Sequence, residues 1–136
     1  MWSFRSNGRS DKTRMTVAQP QLVDWFGIEK DTGFVGLTVI DDLDWEDERS
    51  HVLLLQDKLN TYLAFIESGD VFTRLKSEFG VDVKPGTKIN VSILAKFDPP
   101  SKGVQFLKHA AHILVSRGVS LSHRVVRVPN DKKREL

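Results

Sequence analysis

With 136 residues, 40% of them hydrophobic and 28% charged, the chain has the size and composition of one globular domain able to build its own core. It contains no cysteine, which excludes disulfides, thiolate nucleophiles and thiolate metal sites, and no apolar run approaches the roughly 20 residues of a membrane span. The net charge of +2 conceals an asymmetry, since residues 41–82 hold 11 acids against 4 bases and residues 83–136 hold 11 bases against 3 acids. Halves packed together neutralise each other, whereas separate faces would offer a basic surface to an acidic partner or nucleic acid.

Residues 1–19 are polar and aperiodic, with too little apolar surface to offset the entropy of ordering them. A flexible arm over 1–20 is expected, its Arg5, Arg9, Lys12 and Arg14 solvated. No apolar segment follows these arginines, so the arm does not read as a secretory signal and a cytoplasmic location is the default. A single domain is expected over 21–128, starting near Leu22, with a basic tail over 129–136.

Segments 22–30 and 34–41 are rich in β-branched and aromatic residues and flank Asp31, Thr32 and Gly33. The spacing predicts a hairpin closed by a three-residue turn, with glycine supplying a positive φ. In the second strand Val35, Leu37 and Val39 share one face.

Six acids then fall within residues 41–48. Asp44 is the expected N-cap of a long helix, with Asp47 completing a capping-box variant and the following carboxylates complementing the helix dipole. At 100° per residue Val52, Leu55, Leu59, Tyr62, Leu63 and Ile66 form the stripe that faces the sheet. Leu54 and Phe65 lie off that stripe, with Lys58 and Thr61 between them. Two large apolar residues on a nominally wet face predict a second contact, with another segment or a partner subunit. Ser68 and Gly69 end the helix.

Residues 71–79 read as a short helix or irregular return. Segment 88–97 is the clearest strand, with Ile89, Val91, Ile93, Ala95 and Phe97 alternating with Asn90, Ser92, Leu94 and Lys96. Asp98 or Ser101 is expected to cap a second long helix. Its stripe is Val104, Leu107, Ala111, Leu114 and Val115, widened by Phe106, Ala110 and Ile113, and Gly118 closes it. Segment 119–128 is a last strand. The order β-β-α-β-α-β predicts an α+β open-faced sandwich with a four-stranded mixed sheet and both helices on one face.

Three segments, WFGIEKDTGFVGLTVID, LDWEDERSHVLLLQDKLNTYLAFIESG and LAKFDPPSKGVQFL, resemble an uncharacterised family of small bacterial proteins, a domain of unknown function. The resemblance covers residues 23–126. It implies a bacterial, soluble, compact domain and carries over no activity, ligand or catalytic residue.

Candidate chemistry is sparse. Asp41, Asp44, Asp47 and His51 are the weak candidates for a metal site where strand meets helix, although acids at a helix start are what capping produces in any case. His109 and His112 are spaced to hold a metal but lack an evident third ligand, and His123 would titrate near neutrality. No nucleophile elbow or phosphate-binding glycine loop is present, and no cofactor or catalytic residue is expected. The favoured reading is a non-enzymatic interaction module, a homodimer or a binder of a protein partner, using Leu54, Phe65 and apolar patches at Trp25 or Phe26. The alternative is single-stranded nucleic-acid binding through the basic half, with Lys96 and Arg124 on phosphate. A metal-dependent enzyme built on residues 41–48 is the second alternative.

Overall fold

A computed structural model describes residues 17–20 and 22–126. Expectations for the arm before residue 17 and for the chain after residue 126 lie outside the described residues. The elements are β1 (Trp25–Ile28), β2 (Val35–Asp41), α1 (Glu48–Glu67), α2 (Asp70–Phe79), β3 (Ile89–Ala95), α3 (Ser101–Ser116) and β4 (Val119–Val125). The strands form one mixed sheet in the order β1-β2-β3-β4. β1 pairs antiparallel with β2, and β2 pairs parallel with β3 and β3 with β4. The expected α+β open-faced sandwich is what forms, with a third helix where the sequence left a choice.

Period-2 alternation sets the faces. Val35, Leu37, Val39, Val91 and Ile93 are buried and belong to one core with Leu55, Leu59 and Tyr62 of α1, Val71 and Leu75 of α2, and Leu107 and Leu114 of α3. All three helices therefore cover the same face. The other face carries Trp25, Thr38, Ser92, Leu94, Ser122 and Arg124, and no helix among the described residues lies on it.

Several local expectations shift. Gly33 takes its positive φ, but Glu29 and Phe34 close the turn, so the loop holds Lys30 as well. The packed chain begins earlier than Leu22. Val17 is fully buried, and its N–H reaches the Ile40 carbonyl at 2.8 Å beyond the end of the β1 pairing. The N-cap of α1 is Asp47, one turn later than Asp44, because the Asp47 carboxylate accepts the Ser50 N–H and hydroxyl. Pro100 precedes α3 with no side-chain cap, so neither Asp98 nor Ser101 serves. The α3 stripe is rotated, with Gly103, Leu107, Ala110 and Leu114 inward. Val104, Ile113 and Val115 are exposed instead.

The second contact expected for α1 comes from the same chain. Gly69, with a φ of 87°, turns the chain from α1 directly into α2. Phe65, only 1% exposed, packs edge-on against Phe26 at 5.3 Å, and Phe26 in turn meets Phe79 and Arg74 of α2. Leu54 is half-buried against the same core. This corrects Phe65 as an interaction surface. Its apolar excess is consumed within the fold, and the argument for a partner subunit at that place goes with it.

Candidate functional site

In open sheets with parallel strands, ligands collect outside the carboxyl ends of those strands. Here that edge gathers Asp41 from the end of β2, His51 from the first turn of α1, Trp45 from the loop between them, and His123 from β4. The register explains the gathering. Asp41 pairs with Ala95 and His123 with Ile93, so both point to the helical side at one end of the sheet. The late cap at Asp47 then brings His51 inward over Asp41.

His51 is 2% exposed. Its Nε2 donates to the Asp41 carboxylate, 2.7 and 2.9 Å from the two oxygens, and its Nδ1 donates to the Asp44 carbonyl at 2.8 Å. Two acceptors call for a proton on each nitrogen, the imidazolium form. Burial opposes that charge, but the hydrogen bond and charge of Asp41, with the Asp44 carbonyl, outweigh it and hold the pKa above its usual range. The Trp45 indole stacks on the ring at 3.6 Å, nearly parallel. Its far edge lies on Gly103 in the first turn of α3, where an added Cβ would stand 2.9 Å from Trp45 Cη2 and 3.0 Å from Pro99 Cβ. Trp45 thus bridges the starts of α1 and α3.

With both ring nitrogens committed to acceptors, the protonated His51 ring has no lone pair for a substrate proton or a metal ion. The arrangement ties β2, the 42–47 loop and α1 together. The four weak metal candidates do not converge. Asp44 turns outward to accept the Glu46 N–H, and Asp47 is spent on Ser50. Among the described residues no group of three or more His, Cys, Asp or Glu is placed to hold a metal. His123 is half-buried, its Nε2 unpartnered among the described residues, and burial pushes its pKa down despite the nearby charges of Asp41 and Asp98. His109 and His112 lie on the exposed side of α3.

A second buried polar cluster was not legible from the sequence. Lys58, placed on the wet side by periodicity, is fully buried and uses all three donors. They go to the Gln19 and Leu22 carbonyls at 2.8 and 2.6 Å and to Asp24 Oδ1 at 2.6 Å. Asp24 Oδ2 accepts the Ile40 N–H at 2.8 Å, the Asp24 N–H donates to the Tyr62 hydroxyl, and that hydroxyl donates to the Thr38 carbonyl. Burial pushes Asp24 up to about 6 although Lys58 and Ile40 pull the other way, and it pushes Lys58 down and Tyr62 up.

The four expected binding residues fall on different surfaces. Leu54 and Phe65 belong to the helical side, while Lys96 and Arg124 lie at one end of the bare sheet face. What the sequence missed is the outer groove between α1 and α3, lined by Val52, Leu53, Leu63, Phe106, His109 and Ile113. The signal was present in the over-wide stripe of α3, which was read as additional core.

A family model matches residues 15–127, and what it describes is a family of unknown function, DUF6572. No curated protein and no solved structure matches the chain. No helix among the described residues is long and apolar enough to cross a membrane.

Proposed function

We propose that this chain, which belongs to the DUF6572 family of unknown function, is an interaction module that pairs with a second copy of itself through the helical layer. One observation carries the reading. Between α1 and α3 lie two adjacent depressions that share Phe106 and His109, one of about 570 Å³ with Leu53 48% exposed on its wall and one of about 250 Å³ with Ile113 40% exposed on its wall. Apolar side chains at this exposure mark surfaces that gain from being covered.

The charges of the two walls favour a second copy as the occupant. On α1, half-buried Glu48 and exposed Asp57 and Glu67, the last already paired with Arg117, are set against Arg49. On α3, exposed Lys102 and Lys108 stand with no acid. Of these, Glu48, Arg49 and Lys102 line the groove. A two-fold axis that lays α1 of one protomer on α3 of its partner makes both pairings complementary at once, which an isologous interface requires.

Light scattering coupled to size exclusion, over a range of concentrations, tests this. A dimer is expected for the native chain, and Leu53→Lys with Ile113→Lys should yield a folded monomer by circular dichroism. A native chain that stays monomeric at the highest concentration, or a dimer indifferent to the two lysines, would refute it.

A further inference from the structure

We infer that the bare face of the sheet is a binding platform for single-stranded nucleic acid, with Trp25 as its stacking surface. The alternation that sends Leu37 and Val39 to the core sends Trp25, Gly27 and Glu29 of the hairpin, Gly36, Thr38 and Ile40 of β2, Asn90, Ser92 and Leu94 of β3, and Ser122 and Arg124 of β4 to the opposite side. Three features of this face act together.

The first is the indole. Trp25 lies down along its own strand, and a Cβ added to Gly27 would stand 2.7 Å from Cη2 and 2.8 Å from Cζ2. The glycine is what allows the ring to lie flat. One side of the indole therefore rests on backbone, while 51% of the residue remains exposed. A large aromatic side chain held this way on a sheet is the surface on which unstacked bases settle.

The second is the centre of the face. Thr38, Ser92 and Ser122 stand side by side across β2, β3 and β4, with Gly36 beside them, and the Ser122 hydroxyl donates to Ser92 Oγ at 3.3 Å. Small hydroxyl residues keep the floor low and offer donors and acceptors to base edges or to a 2′-hydroxyl. A face built for another protein would have an apolar centre.

The third is charge. Lys88 stands at one end of β3, and Lys96 and Arg124 stand at the other. None of the three forms an ion pair among the described residues. Glu29, an acid on this face, is occupied by Thr32 and Asn90. From Trp25 to Arg124 the face spans three interstrand spacings, about 14 Å in all, so a base on the indole leaves its neighbours' phosphates within range of the cations. The site is independent of the dimer, since the two use opposite sides of the molecule.

Fluorescence anisotropy with the full chain tests the inference, using labelled oligouridine, oligothymidine and a duplex of equal length. Both single strands should bind at low salt, at least tenfold more tightly than the duplex, and affinity should fall steeply as salt rises. Preference for oligouridine would identify RNA as the ligand, and equal binding would mean that the platform does not read the sugar. Trp25→Ala should weaken binding about tenfold or more, and Trp25→Phe by less. Lys88→Glu with Arg124→Glu, on exposed side chains, should weaken it and flatten the salt dependence even if Trp25→Ala impairs folding. The inference is overturned by no binding at low salt, by a duplex bound as well as single strands, or by affinity unchanged in Trp25→Ala, which would assign binding to basic residues elsewhere.

Discussion

Helix α1 buries two cationic side chains seven residues apart, each against an aspartate from the sheet side, and the two sites are built differently. At Lys58 the ammonium, the carboxylate and the hydroxyl are all answered, although Gln19, whose carbonyl accepts from Lys58, has its Oε1 buried without a partner among the described residues. Three ammonium donors find three acceptors, and Asp24 and Tyr62 complete the circuit through Ile40 and Thr38. At His51 the ion pair is complete, but its surroundings are not, for Trp45 Nε1 and His123 Nε2 are buried without a partner among the described residues. A satisfied network fixes one geometry and penalises any loss. The His51 site is held by a stack and by a ring proton that Asp41 and the Asp44 carbonyl retain above the usual histidine range. The first site is a fastening for residues 17–20 and 22–24, and the second is a joint that depends on one ring proton.

The largest expected effect falls on the fastening. Lys58→Met removes the cation that faces Asp24 and strands two backbone carbonyls, so urea denaturation should show a loss of about 3–5 kcal/mol. Adding Asp24→Asn to Lys58→Met should recover part of it, because an uncharged amide is cheaper to leave buried than a carboxylate. A loss below about 1 kcal/mol would mean that water reaches the pair, and the contrast between the sites would collapse.

How far each site was legible follows from what pattern can encode. The strands were readable because alternation reports directly which face is buried, and Val35, Leu37, Val39, Val91 and Ile93 all obeyed it. His51 and Asp41 were recognisable as neighbours, since a strand end and the first turn of the next helix are close by connection alone. Lys58 was not, because its partners lie 34 to 39 residues away in sequence. The one hint was Leu54 and Phe65 on either side of it. Apolar residues flanking a lysine on one helical side mean that the lysine shares their burial, and covering that side with α2 and residues 17–20 and 22–24 needed only this chain. The groove was missed for the opposite reason. Phe106 and Ile113 look like core from periodicity, and only packing decides where a stripe stops being covered.

The two sites also separate on the pH axis. Asp24 has its pKa raised from 3.8 to about 6, so between those values the folded chain binds more protons than the unfolded one and stability falls as pH rises. His51 is raised above 6.5, so its contribution is fully present below that value and is lost as pH climbs through the folded pKa. Urea midpoints across this range should therefore decline in two stages. Asp24→Asn should abolish only the lower stage. His51→Gln should abolish only the upper one and cost about 2 kcal/mol at pH 6, where the hydrogen bond to a charged group is intact in the native chain. If one substitution erases both stages, the sites titrate together and the division between fastening and joint is wrong.

The smallest effect probes the joint from its far side. Gly103→Ala would add a methyl group 2.9 Å from Trp45 Cη2 and 3.0 Å from Pro99 Cβ, neither of which can swing away as a flexible chain end does. Two terms compete. Alanine favours a helix over glycine by about 1 kcal/mol, while forcing a group into a packed contact costs about 1–3 kcal/mol. The proximity to two ring systems makes the second term larger, so a net loss of about 1 kcal/mol is expected. The displaced indole should uncover the His51–Asp41 pair, and water entering there weakens their attraction. The His51 pKa, followed by its ring resonances in NMR, should consequently fall toward its ordinary value while the lower pH stage set by Asp24 stays where it was. A gain in stability equal to the helix term alone would show that Trp45 has room to move, and that the ion pair at the strand ends does not depend on the indole lying over it.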